Sequence, residues 1–214
     1  VTGVQTCALP ISGMFSANCI VIGDKSCGEF VLFDCGGDIT QALDDAHRNG
    51  LTKCKEIICT HGHIDHIAGL SDAVVKTGAP IAIHTGDIQL YNIAPLQGML
   101  FNYQLQQLPA IGRQLEDFDR IVVGQYDGVV HHTPGHSPGS ICIDFEDAHV
   151  MVTGDTIFNG SVGNTMLPGG DPAQLKMSVM SILNNTAPDT VILPGHGTMS
   201  TVEKEKVSNP IYYM

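Results

Sequence analysis

Positive charge is scarce in this sequence. Lysine and arginine together number 10 against 22 aspartates and glutamates, a formal net charge of −12 over 214 residues. Such a surface repels polyanions, and no cluster of basic residues offsets it locally. We therefore expect no nucleic-acid partner and no binding to an anionic membrane surface.

Long hydrophobic runs and paired cysteine motifs are lacking as well. No apolar stretch approaches the ~20 residues of a membrane span, and the start of the chain has no basic region followed by an apolar one, as a secretory signal would. The seven cysteines are odd in number and form no CxxC pair. We expect reduced thiols and a cytoplasmic protein.

The first twelve residues, VTGVQTCALPIS, resemble the in-frame translation of a common sequencing-adapter oligonucleotide. We expect residues 1–12 to be a non-native leader without functional information. The rest contains no repeat, linker or low-complexity tract, and hydrophobic residues make up 43% of the chain. Residues 13–214 are therefore predicted to form one globular domain.

Apolar periodicity predicts alternating strands and helices. The predicted strand-rich segments are FSANCIVIG, EFVLFDCGG, KEIICT, PIAIH, RIVVG, VVHHTPGHSPGSICIDFE, HVMVTGDTIF and TVILPGHGT, and the predicted helices are ITQALDDAHRNGL, SDAVVKTGA and PAQLKMSVMSILNN. Between them, residues 86–119 have mixed helical and loop character and no readable chemistry. We expect this segment to cover a substrate cleft.

Four short segments with metal-ligand side chains follow predicted strands: HGHIDH at 61–66, HTPGHSPGS at 132–140, TGDTIF at 153–158 and PGHG at 194–197. In an extended chain residues i and i+2 point the same way, so His61 and His63 can hold one ion together. Asp65 and His66 are adjacent, so a turn must reorient them, and a second ion beside the first is the simplest use of such a turn.

The supply of ligands is sufficient for two metals. Imidazole and carboxylate groups suit zinc, and also iron or manganese. Three imidazoles as close as those of HGHIDH repel one another when protonated and need a common partner. Asp155 is the natural carboxylate to bridge two ions ~3.5–4 Å apart. A single histidine such as His196 or His136, taken alone, is more often a hydrogen-bonded loop residue than a metal ligand.

HGHIDH, followed by TPGHSPGS, GDTIF and PGHG, resembles the metallo-β-lactamase superfamily, and GDTIFNGSVGNTMLPGGDPAQL is similar to its glyoxalase II-like, that is hydroxyacylglutathione hydrolase-like, enzymes. The similarity extends over nearly everything from Phe15 to Pro210. It implies an α/β fold, the αββα sandwich, in which two mixed sheets are flanked by helices and two metals lie at one edge. The ligands that it implies are His61, His63 and His136 for the first metal, Asp65, His66 and His196 for the second, and Asp155 as the bridge.

The resemblance also suggests roles for residues beside the metals. Asp34 in LFDCGG would orient a ligand histidine, and the alternative, a turn aspartate bonded to its own backbone, stays open. Asn164 stands where related thioesterases carry a basic residue after GSxG, so we treat it as a candidate substrate contact and expect weaker recognition of glutathione. His84 is expected to line the mouth of the cleft, and His131 and His132 are not expected to be ligands.

These patterns predict a metal-dependent hydrolase of small molecules. Hydroxide held between two divalent ions, most simply Zn²⁺, would attack the acyl carbon of a thioester, with Asp65 as the catalytic carboxylate. Two alternatives stay open: a mononuclear iron persulfide dioxygenase on the same fold, and a non-catalytic metal-binding module. A zinc β-lactamase usually has cysteine where Asp155 stands, and a nuclease would need an extra domain and a basic groove. The sequence carries no signal for an oligomeric state.

Overall fold

The computed structural model of the chain describes residues 4–7, 11–13 and 16–213. The strands are β1 (Val4–Cys7), β2 (Ile11–Ser12), β3 (Ala17–Asn18), β4 (Ile20–Asp24), β5 (Glu29–Phe33), β6 (Lys53–Cys59), β7 (Ile81–His84), β8 (Ile111–Leu115), β9 (Arg120–Val123), β10 (Tyr126–His132), β11 (Ile141–Phe145), β12 (Val150–Gly154), β13 (Ile157–Phe158), β14 (Ser161–Val162), β15 (Val191–Pro194) and β16 (Ser200–Thr201). The helices are α1 (Thr40–Arg48), α2 (Ile64–Ile67), α3 (Leu70–Thr77), α4 (Ile88–Asn92), α5 (Ala94–Leu100), α6 (Pro172–Asn185) and α7 (Val202–Ser208).

Two six-stranded mixed sheets form the centre of the molecule. The first has the order β1-β4-β5-β6-β7-β8, in which β5, β6, β7 and β8 run parallel and β1, β4 and β5 pair antiparallel. The second has the order β16-β15-β12-β11-β10-β9, with one parallel pair, β12 and β15. Parallel pairs need long crossover connections, and the helices supply them.

The alternation of side chains along each strand sorts the core into layers. In β5, Val31 and Phe33 face the second sheet and Leu32 faces the helices, as the two-residue period of a strand dictates. The layer between the sheets includes an edge-to-face pair, Phe33 and Phe145, with ring centroids 6.4 Å apart. The sheets therefore bury a continuous apolar interface.

The outer faces of both sheets are covered by helices. Ala42 and Ala46 of α1 and Leu70 of α3 pack on the first sheet. Leu175 and Val179 of α6, with residues of α7, pack on the second. The result is the four-layered αββα sandwich that the sequence predicts, and that prediction is confirmed.

Half of the predicted leader lies outside the described residues. Residues 1–3 and 8–10 are not described, whereas 4–7 pair with β4 and 11–12 pair with β3. That residues 1–12 are non-native, and that 13–214 form the domain, stay predictions. Among the helices described, none is long and apolar enough to cross a membrane.

Candidate metal centre

The predicted ligands follow strand ends at one edge of the sandwich. His61 comes two residues after β6, Asp155 directly after β12, and His196 two residues after β15. Because β12 and β15 are parallel neighbours, their carboxyl ends meet at the same edge. The loop between β10 and β11 carries His136 to that edge. The fold thus brings together side chains that are far apart in sequence.

A short helix, α2, carries the second pair of ligands within HGHIDH, Asp65 and His66. His63 is extended, with φ −76° and ψ 147°, and α2 begins at the next residue. The extended part places His61 and His63 on one side, and the turn redirects Asp65 and His66. The structure therefore has the reorientation that the sequence predicts.

The first group of ligand atoms comes from three histidines. Nε2 of His136 lies 3.2 Å from Nε2 of His61 and 2.8 Å from Nδ1 of His63. All three residues are buried, at 1–6% exposure. Their ligand atoms lie close enough together to share one ion.

The second group is formed by Asp65, His66 and His196. Nε2 of His196 lies 3.2 Å from Oδ2 of Asp65 and 3.2 Å from Nε2 of His66. Asp155 reaches both groups, because its Oδ1 lies 3.3 Å from Nε2 of His66 and its Oδ2 3.5 Å from Nε2 of His136. The arrangement is that of two triads joined by one carboxylate.

A buried network fixes the tautomers of two of these histidines. Asp34 is fully buried and accepts hydrogen bonds from the amide and hydroxyl of Thr60, at 2.8 and 2.7 Å, and from Nδ1 of His66 at 2.9 Å. Thr60 Oγ1 gives its proton to Asp34, so it accepts from Nδ1 of His61, 3.1 Å away. In their neutral forms both histidines therefore turn an unprotonated Nε2 toward the cluster. This geometry favours the orienting role over a plain turn aspartate for Asp34.

His136 is oriented by a main-chain group. Its Nδ1 donates to the carbonyl oxygen of Asn164 at 2.8 Å, so its Nε2 also carries a lone pair. The Nε2 atoms of His61 and His136 thus face each other without a proton between them. Two lone pairs 3.2 Å apart in a buried site repel unless a cation lies between them.

The residues present fit two divalent cations. Ligands 2.0–2.2 Å from a tetrahedral ion are about 3.3–3.6 Å apart, and the separations here run from 2.8 to 3.7 Å. Asp155 Oδ1 is buried and accepts no hydrogen bond of good geometry from the described residues. An unpartnered buried carboxylate oxygen of this kind suits a metal ion.

Electrostatics favour neutral imidazoles at His61 and His63 and a positive charge at His66. Burial, with the charge of His136 beside it, lowers the pKa of His63 to about 3, and burial likewise lowers the pKa of His61 well below its usual value. Burial also acts to lower the pKa of His66, but the carboxylates of Asp155 and Asp34 outweigh it and raise that pKa well above the usual value. The centre therefore attracts positive charge.

One glycine makes the close approach of the strands possible. A Cβ atom at Gly195 would collide with Oδ1 of Asp155 and lie 2.7 Å from Cε1 of His66. Only glycine leaves room for the end of β15 beside the ligands. The PGHG segment is thus required by packing as well as by its histidine.

A cavity of about 390 Å³ opens beside the ligands His63 and Asp65. The segment 86–119, expected to cover a cleft, supplies much of its wall through α4 and α5. Asn164 also lines the cavity, and its contact with a substrate stays a prediction.

Asp87 is a residue of the site that the sequence reasoning missed. It is fully buried and accepts hydrogen bonds from Gly62 N at 2.7 Å, Ser137 Oγ at 2.7 Å and Gly139 N at 2.5 Å. One carboxylate thereby ties the HGHIDH loop to the loop of His136. The available signal was its position just after β7, at the same edge as the ligands.

The other histidines near the site do not join the cluster. The ring of His84 is buried and stacks on that of His132 at 4.1 Å. His84 is not among the described residues that line this cavity, and its expected place at the mouth of the cleft stays a prediction. His132 bonds the carbonyl of Pro138 at 2.9 Å, away from the ligands.

A family model for the metallo-beta-lactamase superfamily matches residues 12–196. The chain belongs to this superfamily. Its members are in general hydrolytic metalloenzymes. The resemblance predicted from the four ligand segments is therefore confirmed.

Individual relatives agree with this assignment. The chain is 30% identical over 209 residues to hydroxyacylglutathione hydrolase GloC of Haemophilus influenzae, covering 94% of this chain and 95% of that protein. The solved structure of TTHA1623 in a di-iron-bound form superimposes with a TM-score of 0.83 at 30% identity, covering 95% and 99% of the two chains. The BLEG-1 B3 metallo-beta-lactamase structure gives a TM-score of 0.82 at 29% identity, with coverage of 97% and 98%.

Proposed function

We propose that this superfamily member is a metal-dependent hydrolase that holds two divalent ions in the seven-residue cluster and cleaves thioesters. The observation that carries the proposal is the pair of unprotonated Nε2 atoms of His61 and His136, 3.2 Å apart in a buried site that Asp155 shares. The likeness to GloC supports a thioester as the substrate class.

Two bound divalent ions would supply a water ionised at neutral pH and would polarise the acyl carbonyl. The chain's own residues position the reaction. Asp34 holds His66, Thr60 holds His61, and the carbonyl of Asn164 holds His136, each through Nδ1.

Asp65 is the carboxylate that we assign to catalysis. Its side chain is 21% exposed and lines the cavity, whereas the side chain of Asp155 is 9% exposed. Burial acts to raise the pKa of Asp65, but the hydrogen bond to His196 and the charge of His66 hold it below its usual value. The carboxylate is thus ionised at neutral pH and available to hold a metal ion and to orient the attacking water.

A thioester suits such a centre because a thiolate leaves with little need for protonation. Water and thioester then give a carboxylic acid and a thiol, with one carbon–sulfur bond broken and one carbon–oxygen bond formed. Histidine and carboxylate ligands make Zn²⁺ our first choice of metal. Iron is supported by the di-iron form of TTHA1623, and manganese fits the same ligands.

β-Lactam hydrolysis is a second candidate, favoured by the likeness to BLEG-1. A mononuclear persulfide dioxygenase is less well supported, because two complete triads are present rather than one. A purely structural metal module is disfavoured by the cavity that opens on the ligands.

We also propose a cytoplasmic location, which the free state of the described cysteines supports.

The test compares Asp65→Asn with a matched control, Asp72→Asn. Asp72 lies on α3 and pairs with Lys76 at 2.8 Å on the surface. In the zinc-loaded protein, Asp65→Asn is expected to lower kcat/KM for thioesters by about 100-fold or more, and Asp72→Asn to leave it unchanged. A β-lactam is assayed in parallel. Unchanged thioester turnover in Asp65→Asn would remove the proposed mechanism.

A further inference from the structure

The wall of the cavity opposite the metal cluster is apolar. α4 and α5 contribute Leu90, Leu96, Leu100 and neighbouring side chains, and Leu167 faces them. Leu96 and Leu100 are 60% and 79% exposed, which is unusual for leucines beside a reactive site. Here they are continuous with the cavity that reaches the metal ligands.

Most of the polar groups of this wall are already engaged. Gln97 Oε1 accepts from the amide of Ile64 at 3.0 Å, and its Nε2 donates to the carbonyls of Gly62 and Leu90, each at 3.0 Å. Asn164 Oδ1 accepts from the amide of Met166 at 2.9 Å. Both side chains hold loops in place, and Gln97 has little hydrogen-bonding capacity left for a ligand, whereas Asn164 keeps its NH₂ group.

Cationic side chains are missing from the cavity. All 10 lysines and arginines fall between residues 16 and 213, and none of them is among the described residues that line it. Glutathione carries two carboxylates at neutral pH, and a site that recognises them supplies cations or free donors. The described lining supplies no cation, the amide NH₂ of Asn164 is its main remaining donor, and Asp65 adds a negative charge.

We propose that this cavity binds an uncharged apolar chain, so that the substrates of this centre are medium-chain thioesters rather than glutathione thioesters. The inference rests on the proposed hydrolase function and specifies its substrate. The chain lies along α4 and α5 while the scissile carbonyl reaches the cluster past His63 and Asp65. Recognition is then hydrophobic, without a salt bridge.

The first experiment measures kcat/KM for a series of S-acyl-N-acetylcysteamines from acetyl to octanoyl. Each buried methylene is expected to raise kcat/KM about three- to fourfold. A second series consists of acetyl thioesters of uncharged alkanethiols of increasing length. Comparison of the two series shows whether the apolar chain that the cavity binds is on the acyl or the thiol side of the substrate. S-lactoylglutathione is the charged comparison. A flat profile in both series, or preference for S-lactoylglutathione over octanoyl, overturns the proposal.

Leu100→Lys tests the wall itself, with Val75→Lys as the control. Val75 is 84% exposed on α3, so both substitutions put a lysine at an open helical position. Leu100→Lys is expected to reduce the octanoyl-to-acetyl ratio of kcat/KM about tenfold or more, and Val75→Lys to leave it unchanged. Equal ratios in the wild type and Leu100→Lys contradict the assigned wall.

Calorimetric titration with octanamide and acetamide separates this inference from the proposed function. Octanamide is expected to bind the wild type and Val75→Lys at least tenfold more tightly than it binds Leu100→Lys, with or without thioester turnover. If octanamide binds in this way and no thioester is cleaved, the hydrolase proposal fails and the apolar site stands. If Leu100→Lys instead converts a dimer into a monomer in sedimentation, the wall covers a second copy and the inference is overturned.

Discussion

Asp34 shows how one side chain can set the chemistry of several others. Its backbone has φ 55°, in the left-handed region, and its carboxylate has no solvent exposure. Through Thr60 and His66 it fixes two imidazoles with their lone pairs toward the cluster. Such outer partners govern metal affinity because they hold the ligand rings in orientation.

Asp34→Asn is expected to weaken metal binding about 10- to 100-fold. The amide keeps one acceptor oxygen but turns an NH₂ group toward donors on Thr60 or His66, which leaves one buried donor unpaired. Competition with a chelator of known affinity measures the effect. Asp38→Asn, on a side chain that is 75% exposed and near the start of α1, is the control. An equal loss in both variants would count against the network.

At the residue scale the sequence allowed prediction of ligands that are clustered or joined by a recognisable family pattern. HGHIDH can be recognised as a metal-binding segment because its ligands lie within six consecutive residues. Asp87 is a single aspartate whose partners Ser137 and Gly139 are 50 and 52 positions away. Nothing local distinguishes such a residue from a turn aspartate, because its role exists only after the loops have met.

Elements with a long, regular pattern were predictable, and short ones were not. α6 has 14 residues, an Asp171 cap that accepts from the amides of Ala173 and Gln174, and Pro172 in its first turn. α4 and α5 have five and seven residues; Tyr91 and Ala94 pack in the core, but most of their other apolar side chains line a cavity. A helical period is hard to see when the apolar face serves a ligand site.

β11 carries a carboxylate that opposes folding at neutral pH. Burial, together with the neighbouring charge of Glu146, raises the pKa of Asp144 from 3.8 to about 6. A carboxyl with a raised pKa in the folded state favours folding at low pH, and this contribution is lost as the pH rises from about 4 through 6. The buried charge is then a cost at pH 7.

Asp144→Asn is therefore expected to be more stable than the wild type at pH 7, by on the order of 1 kcal/mol once solvent screening is allowed for. The difference should shrink toward zero near pH 4. Urea unfolding between pH 4 and 7 measures it, with Asp147→Asn on the exposed turn that follows as the control. A difference that grows toward low pH would show that the sign is wrong.

At the scale of the whole molecule, the site exists because two sheets end at a common edge. Ligands from HGHIDH belong to the first sheet, and His136, Asp155 and His196 belong to the second. Periodicity predicts the strands, but not their order or the crossovers that align the edges. Strand pairing depends on contacts between residues that are distant in sequence, which periodicity does not reveal. The architecture was therefore predicted from the family resemblance.

The most direct test of this account is the anomalous diffraction of crystals grown with Zn²⁺, recorded on both sides of the zinc absorption edge. Two ions held by the seven-residue cluster give two peaks about 3.5–4 Å apart, one among His61, His63 and His136 and the other among Asp65, His66 and His196, with Asp155 between them. A single peak, or peaks outside this cluster, would contradict it.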